Sequence, residues 1–126
     1  MKKVVILFVI FILFPLVSSE IIIDKQPDTA YNLGDVVTVP VTIKALKSTS
    51  GYLNMHLLCE GKQETFERRG INLQVGEEKK IDDISLILTK SDTGNMIGTC
   101  KIKATLGEDF ALTNEFKISD SVTIIA

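Results

Sequence analysis

The chain has 126 residues, a formal net charge of −2, one histidine, two cysteines and no tryptophan. One histidine and a single cysteine pair cannot assemble a zinc or blue-copper ligand set. The slightly acidic balance lacks the basic footprint expected for nucleic acid or an anionic membrane as partner.

At the N-terminus, Met1, Lys2 and Lys3 precede an apolar run from Val4 to Val17, followed by Ser18, Ser19 and Glu20. As a helix this run covers roughly 21 Å, short of the ~30 Å hydrocarbon layer, so it reads as a signal-peptide helix. Val17 and Ser19 supply the small residues that signal peptidase accepts at minus three and minus one. The cut is therefore expected between Ser19 and Glu20, with residues 1–19 as leader. The alternative is an uncleaved anchor, in which case membrane contact is confined to this segment. Cleavage removes Lys2 and Lys3 but no acidic residue, so the mature charge becomes −4. The remaining hundred or so residues suffice for one domain that buries somewhat over ~60% of its unfolded surface.

From Glu20 the pattern is strand after strand. Ile21, Ile22 and Ile23 form a β-branched run suited to an edge strand. After a loop containing Pro27, the turn Leu33-Gly34-Asp35 leads into Val37, Val39, Val41, Ile43 and Ala45, which alternate with more polar positions. Pro40 falls on the outward side and requires an exposed edge or a bulge. Leu53, Met55, Leu57 and Cys59 then alternate with Tyr52, Asn54, His56 and Leu58. Glu60-Gly61-Lys62 make a tight turn into a polar strand from Gln63 to Arg69, after which Ile71, Leu73 and Val75 return to period two. Ile84, Leu86 and Leu88 face inward on the next strand. Cys100, Ile102, Ala104 and Leu106 do so on the one after, and Gly107-Glu108-Asp109 turn into Phe110–Ile118. No stretch of the mature chain has helical periodicity. The prediction is an all-β, antiparallel β-sandwich of about seven strands and immunoglobulin-like topology over residues 20–118. Residues 119–126 are read as a linker with a final or next-module strand at Val122–Ala126.

Cys59 and Cys100 each fall on the apolar face of their own strand, and export favours oxidation. A Cys59–Cys100 disulfide follows, bridging two neighbouring antiparallel strands within one sheet rather than crossing between sheets as in antibodies.

The succession Gly34-Asp35 before alternating valines, Glu60-Gly61-Lys62, Leu73 with Gly76-Glu77, and Gly98 opening the penultimate strand resembles CARDB-type modules. These are immunoglobulin-like or fibronectin-III-like repeats of bacterial and archaeal surface proteins associated with cell adhesion. The resemblance covers Tyr31 to about Ser119 and implies no catalytic residue and no cofactor.

The residues that could carry chemistry point elsewhere. His56 and Cys59 lie on opposite faces of one strand, so they form no metal pair. Neither Asp82 with Asp83 nor Glu77 with Glu78 makes a glycosidase pair, because neighbours on a strand point apart. Asp92-Thr93-Gly94-Asn95 lacks the further acids of a calcium loop. The expectation is a non-catalytic secreted or cell-surface domain, without metal or cofactor, serving as an interaction, adhesion or spacer module toward a protein or cell-envelope component. Its candidate surface is the sheet edges and the outward residues Tyr52, Asn54 and His56. The alternative is a small secreted ligand-binding or protease-inhibitor domain of the same fold.

Overall fold

The computed structural model describes residues 18–88 and 97–119, and every regular element within them is a strand. Most of the leader, the turn cluster Ser91–Asn95 and the apolar run Val122–Ala126 lie outside the described residues. In chain order the strands are β1 (Ser19–Ile23), β2 (Ala30–Asn32), β3 (Val36–Thr38), β4 (Val41–Ala45), β5 (Thr49–Cys59) and β6 (Lys62–Leu73). They continue with β7 (Glu78–Ile81), β8 (Ser85–Ile87), β9 (Gly98–Leu106), β10 (Asp109–Leu112) and β11 (Phe116–Ser119).

Two layers result. β1-β4-β7 form a three-stranded antiparallel sheet, and β2-β11-β9-β5-β6 form the larger sheet, with β10 also paired to β9. The alternation read from the sequence fixes which side of each strand faces the other layer. Val41, Ile43 and Ala45 from β4 meet Leu53, Met55 and Leu57 from β5 and Ile102, Ala104 and Leu106 from β9 in one buried cluster. The chain is thus all-β and sandwich-like, with predominantly antiparallel pairing; the exception is the parallel pair β2–β11.

The strands outnumber the expected seven because several are interrupted. The long strand expected from Val37 to Ala45 breaks at Val39-Pro40. Proline has no N–H to give to a ladder, and the chain uses the break to change partners. β3 pairs with β8, whereas β4 pairs with β1 and β7. The facing strand breaks at Asp82–Ile84, and Val39 N–H donates to the Ile84 carbonyl at 3.0 Å across the matched gap. Conversely, the stretches Gln63–Arg69 and Ile71–Leu73, expected as separate strands, form the single strand β6. The register shifts opposite Met55/His56, leaving Phe66 as the extra residue of a β-bulge, so the inward parity changes there and a single strand reads as two. Val75 is outside β6 and 67% exposed. Ser119, expected to begin the linker, pairs with Asn32 as the last residue of β11.

Ser18 and Ser19 belong to the folded part. The Ser18 carbonyl accepts from the N–H groups of Leu46 (3.0 Å) and Lys47 (3.1 Å). Ser19 pairs with Ala45 and is 1% exposed. A cut between Ser19 and Glu20 would fall inside β1 and remove these contacts.

Cys59 and Cys100 stand directly opposite one another on β5 and β9 and are joined in a disulfide, with a Cα–Cα separation of 4.2 Å. That spacing belongs to a non-hydrogen-bonded antiparallel pair, the position where side chains come closest. The in-sheet bridge expected from the sequence is therefore present, and it points to an oxidising, extracytoplasmic setting. With a sequence separation of 41 between the cysteines, the chain-entropy model gives it roughly 4 kcal/mol. A Cys59→Ala/Cys100→Ala double variant is expected to lose about that much in urea unfolding, and a loss below ~1 kcal/mol would show that the bridge does not constrain the unfolded chain.

Candidate interaction face

Because β5 and β9 are the middle of the larger sheet, their odd or even phase decides what that sheet shows to solvent. β5 turns Tyr52, Asn54, His56 and Leu58 outward, as the sequence predicts. The register places them beside Gly70, Arg68, Thr65 and Gln63 of β6. On the other side, Asn54, His56 and Leu58 meet Thr105, Lys103 and Lys101 of β9, and β10 adds Phe110 next to Thr105 and Leu112 next to Lys103. Lys117 of β11 lies beside Thr99. The three expected surface residues are thus brought together on one face, although only Tyr52 is more than half exposed.

The charges on this face have one sign. Among the described residues, the outward positions of β5, β6, β9, β10 and β11 hold Arg68, Lys101, Lys103 and Lys117 and no Asp or Glu. The outer face of the smaller sheet is built the other way: Glu20 opposes Lys44, and Lys44 opposes Glu78, so opposite charges meet across strands. Sequence reading missed this segregation, because a near-neutral total conceals it and only the register between strands reveals it.

Two of the cations cover aromatic rings. Arg68 lies over Tyr52, 3.9 Å from the ring centroid, and Lys103 over Phe110 at 5.0 Å. Gly70, directly opposite Tyr52, adds no side chain against the ring, and Arg68 is the β6 residue that covers it. Open grooves flank the tyrosine. One of about 500 Å³ runs toward the β9–β10 turn past Asn54, Thr105 and Glu108, and one of about 420 Å³ runs over Gly70 toward Asn72.

His56 sits at the centre of the face. Its Nδ1 is 2.7 Å from the Thr65 hydroxyl and its Nε2 3.2 Å from that of Thr105. Partial burial lowers its pKa from the usual histidine value, and neighbouring Lys103 lowers it further. Cys59 faces the opposite way into the core, so the two form no ligand pair, and no group of three or more metal-binding side chains occurs among the described residues.

The other sequence candidates take structural positions. Asp83 belongs to an edge cluster in which Arg69 bonds its carboxylate at 2.6 Å and that of Glu67 at 2.7 Å. Arg69 is held above its ordinary pKa by Asp83 and then Glu67, and Asp83 is held below its own by Arg69. This cluster is exposed and contributes little to stability. Edge strand β6 is blunted by these charges and by its bulge, which disfavours addition of a further strand there. At the rim of the larger groove, Asp109 turns inward and its Oδ2 accepts from the Ser19 N–H at 2.9 Å and the Ser19 hydroxyl at 3.0 Å, tying β10 to β1.

No family model matches the chain, and no curated protein matches it in sequence. Solved structures do resemble it in fold. A β-glucosidase from Listeria innocua in complex with gluconolactone aligns at TM-score 0.61 and 20% identity, over 82% of this chain and 16% of that one. A β-glucosidase from Erythrobacter marinus aligns at 0.61 and 12%, over 81% and 15%. An alkylpurine DNA glycosylase from Pseudomonas fluorescens, bound to DNA containing an abasic-site analogue, aligns at 0.67 and 12%, over 83% and 31%. The chain spans only about a sixth of those β-glucosidases and under a third of the DNA glycosylase, so the likeness is one of fold.

Two measurements check this geometry. Asp109→Ala leaves the buried Ser19 N–H without its acceptor and is expected to cost about 1–3 kcal/mol in denaturant unfolding; an unchanged midpoint would mean that β1 and β10 are not coupled there. For His56 the folded pKa lies below the unfolded one, so its contribution is fully present above the ordinary histidine value and is lost as pH falls through it. Between pH 7 and 5 the wild type should therefore lose more thermal stability than His56→Gln, and parallel curves would remove this role.

Proposed function

We propose that this chain is an exported, non-catalytic interaction module of immunoglobulin-like architecture, working through the outer face of its larger sheet. The observation that carries the reading is that face itself: four cations with no carboxylate among them in the outward strand positions, flanked by half-exposed Tyr52 and Phe110. Like charges gathered on neighbouring strands repel one another, and an anionic partner relieves that repulsion.

The architecture supports the same reading. The N-terminal strand region contributes β1 to the smaller sheet and then β2 to the larger, where β2 runs parallel to β11. A first strand shared between two facing antiparallel layers suits an immunoglobulin-like sandwich, as does the resemblance of the Gly34-Asp35, Gly76-Glu77 and Gly98 turns to CARDB-type surface modules. The fold-level neighbours agree with a module, since their matching portions are small parts of long chains. The disulfide and the apolar N-terminal run favour the exterior of the cell, with the envelope or a secreted protein as partner. A free-standing ligand binder is the second reading, favoured by the groove of about 500 Å³ beside Tyr52.

Purified protein added to washed cell envelopes should be retained at low salt and released at high salt. An Arg68→Glu/Lys103→Glu variant with unchanged melting temperature should be retained about tenfold less. Equal retention of both proteins would remove the face from the reading.

A further inference from the structure

The arrangement of charge, aromatic rings and hydrogen-bonding groups on the larger sheet narrows the chemistry of the partner. We propose that this face, with the groove beside Tyr52, binds a linear polysaccharide carrying uronic-acid carboxylates; the inference rests on the module reading above.

The cations form a track. Lys101 and Lys103 are alternate residues of β9 and stand about 7 Å apart along the strand. Lys103 is beside His56, and one register row further, Arg68 on β6 is beside Asn54. Arg68, Lys103 and Lys101 thus run obliquely over three strands, with no carboxylate in the outward positions they cross. By strand spacing Arg68 and Lys103 stand roughly 12 Å apart and Lys103 and Lys101 about 7 Å, and charges this sparse suit a polymer with one negative charge per ring better than a densely charged one.

The end of the track near Tyr52 argues for sugar. Arg68 covers one face of the Tyr52 ring, and the ring is still 52% exposed, leaving apolar surface for the C–H side of a pyranose, while the neighbouring groove gathers Asn54, Thr105 and Glu108. An amide, a hydroxyl and a carboxylate can accept hydrogen bonds from sugar hydroxyls, so this end of the track suits the neutral hydroxyl-bearing side of a ring while the cations take its carboxylates. A nucleic-acid partner is further disfavoured by the disulfide, which belongs to an oxidising compartment.

The purified protein can be titrated with polygalacturonate, with neutral dextran and a single-stranded oligonucleotide in parallel, and the Arg68→Glu/Lys103→Glu and Tyr52→Ala variants compared after their folds are checked by circular dichroism. Polygalacturonate should bind, and the charge reversal should weaken it at least about tenfold and flatten its salt dependence. Tyr52→Ala should weaken it about five- to tenfold while keeping the salt dependence, because it removes stacking and not charge. The inference is overturned by absent binding of polygalacturonate, by equal binding of the charge-reversed protein, or by tighter binding of dextran or the oligonucleotide. If envelopes retain the protein through this face while polygalacturonate does not bind, the module reading stands and the glycan inference falls.

Discussion

The pairing of β5 with β9 is the constraint from which the rest of the molecule follows. These are long, central strands, and Cys59–Cys100 locks them covalently at one end of their shared register. A slip of one residue would turn every side chain on the moving strand to the other face, exchanging Leu53, Met55 and Leu57 for Tyr52, Asn54 and His56. A disulfide between directly opposed residues is incompatible with such a slip. The core composition and the surface composition of the larger sheet are thus set by the same bond.

Much of this was legible in the sequence, for a physical reason. Period-two alternation is a property of each strand alone, so Val41-Ile43-Ala45, Leu53-Met55-Leu57 and Ile102-Ala104-Leu106 could be assigned an inward side before any partner was known. The phase of the cysteines within that alternation put both sulfurs in the core, and counting strands in an immunoglobulin-like order, the third and the sixth, gave the expectation of an in-sheet bridge. Features that depend on two segments at once were less visible. Pro40 announced an irregularity, but only the matching break at Asp82–Ile84 turns it into a change of partners. β2 is three residues long and too short to have a period, and Phe66 conceals the continuity of β6 by reversing its parity.

The same distinction applies to the candidate site. Tyr52, Asn54 and His56 could be picked out as outward residues of one strand. Arg68, Lys101 and Lys103 could not be grouped with them, because Arg68 follows Asn54 by 14 residues and Lys103 follows His56 by 47, and they become neighbours only through register. Net charge averages over the whole surface, whereas a partner meets one face of it. Acids placed mostly in turns and loops and along the β6 edge leave the larger sheet's outer face cationic within a chain whose total charge is slightly negative.

The parallel pair β2–β11 also determines how the fold carries mechanical load. Once β1 is pulled from β4, tension along the chain makes the parallel strands β2 and β11 slide past one another, so the hydrogen bonds joining Ala30, Tyr31 and Asn32 to Lys117, Ile118 and Ser119 are loaded together in shear rather than opened one by one. Behind that pair, the Cys59–Cys100 bond carries force directly from β5 to β9, so the intervening segment, including β6, β7 and β8, is not drawn out even when β2 and β11 part. A domain built in this way can yield at its ends and still hold β5 and β9 in register.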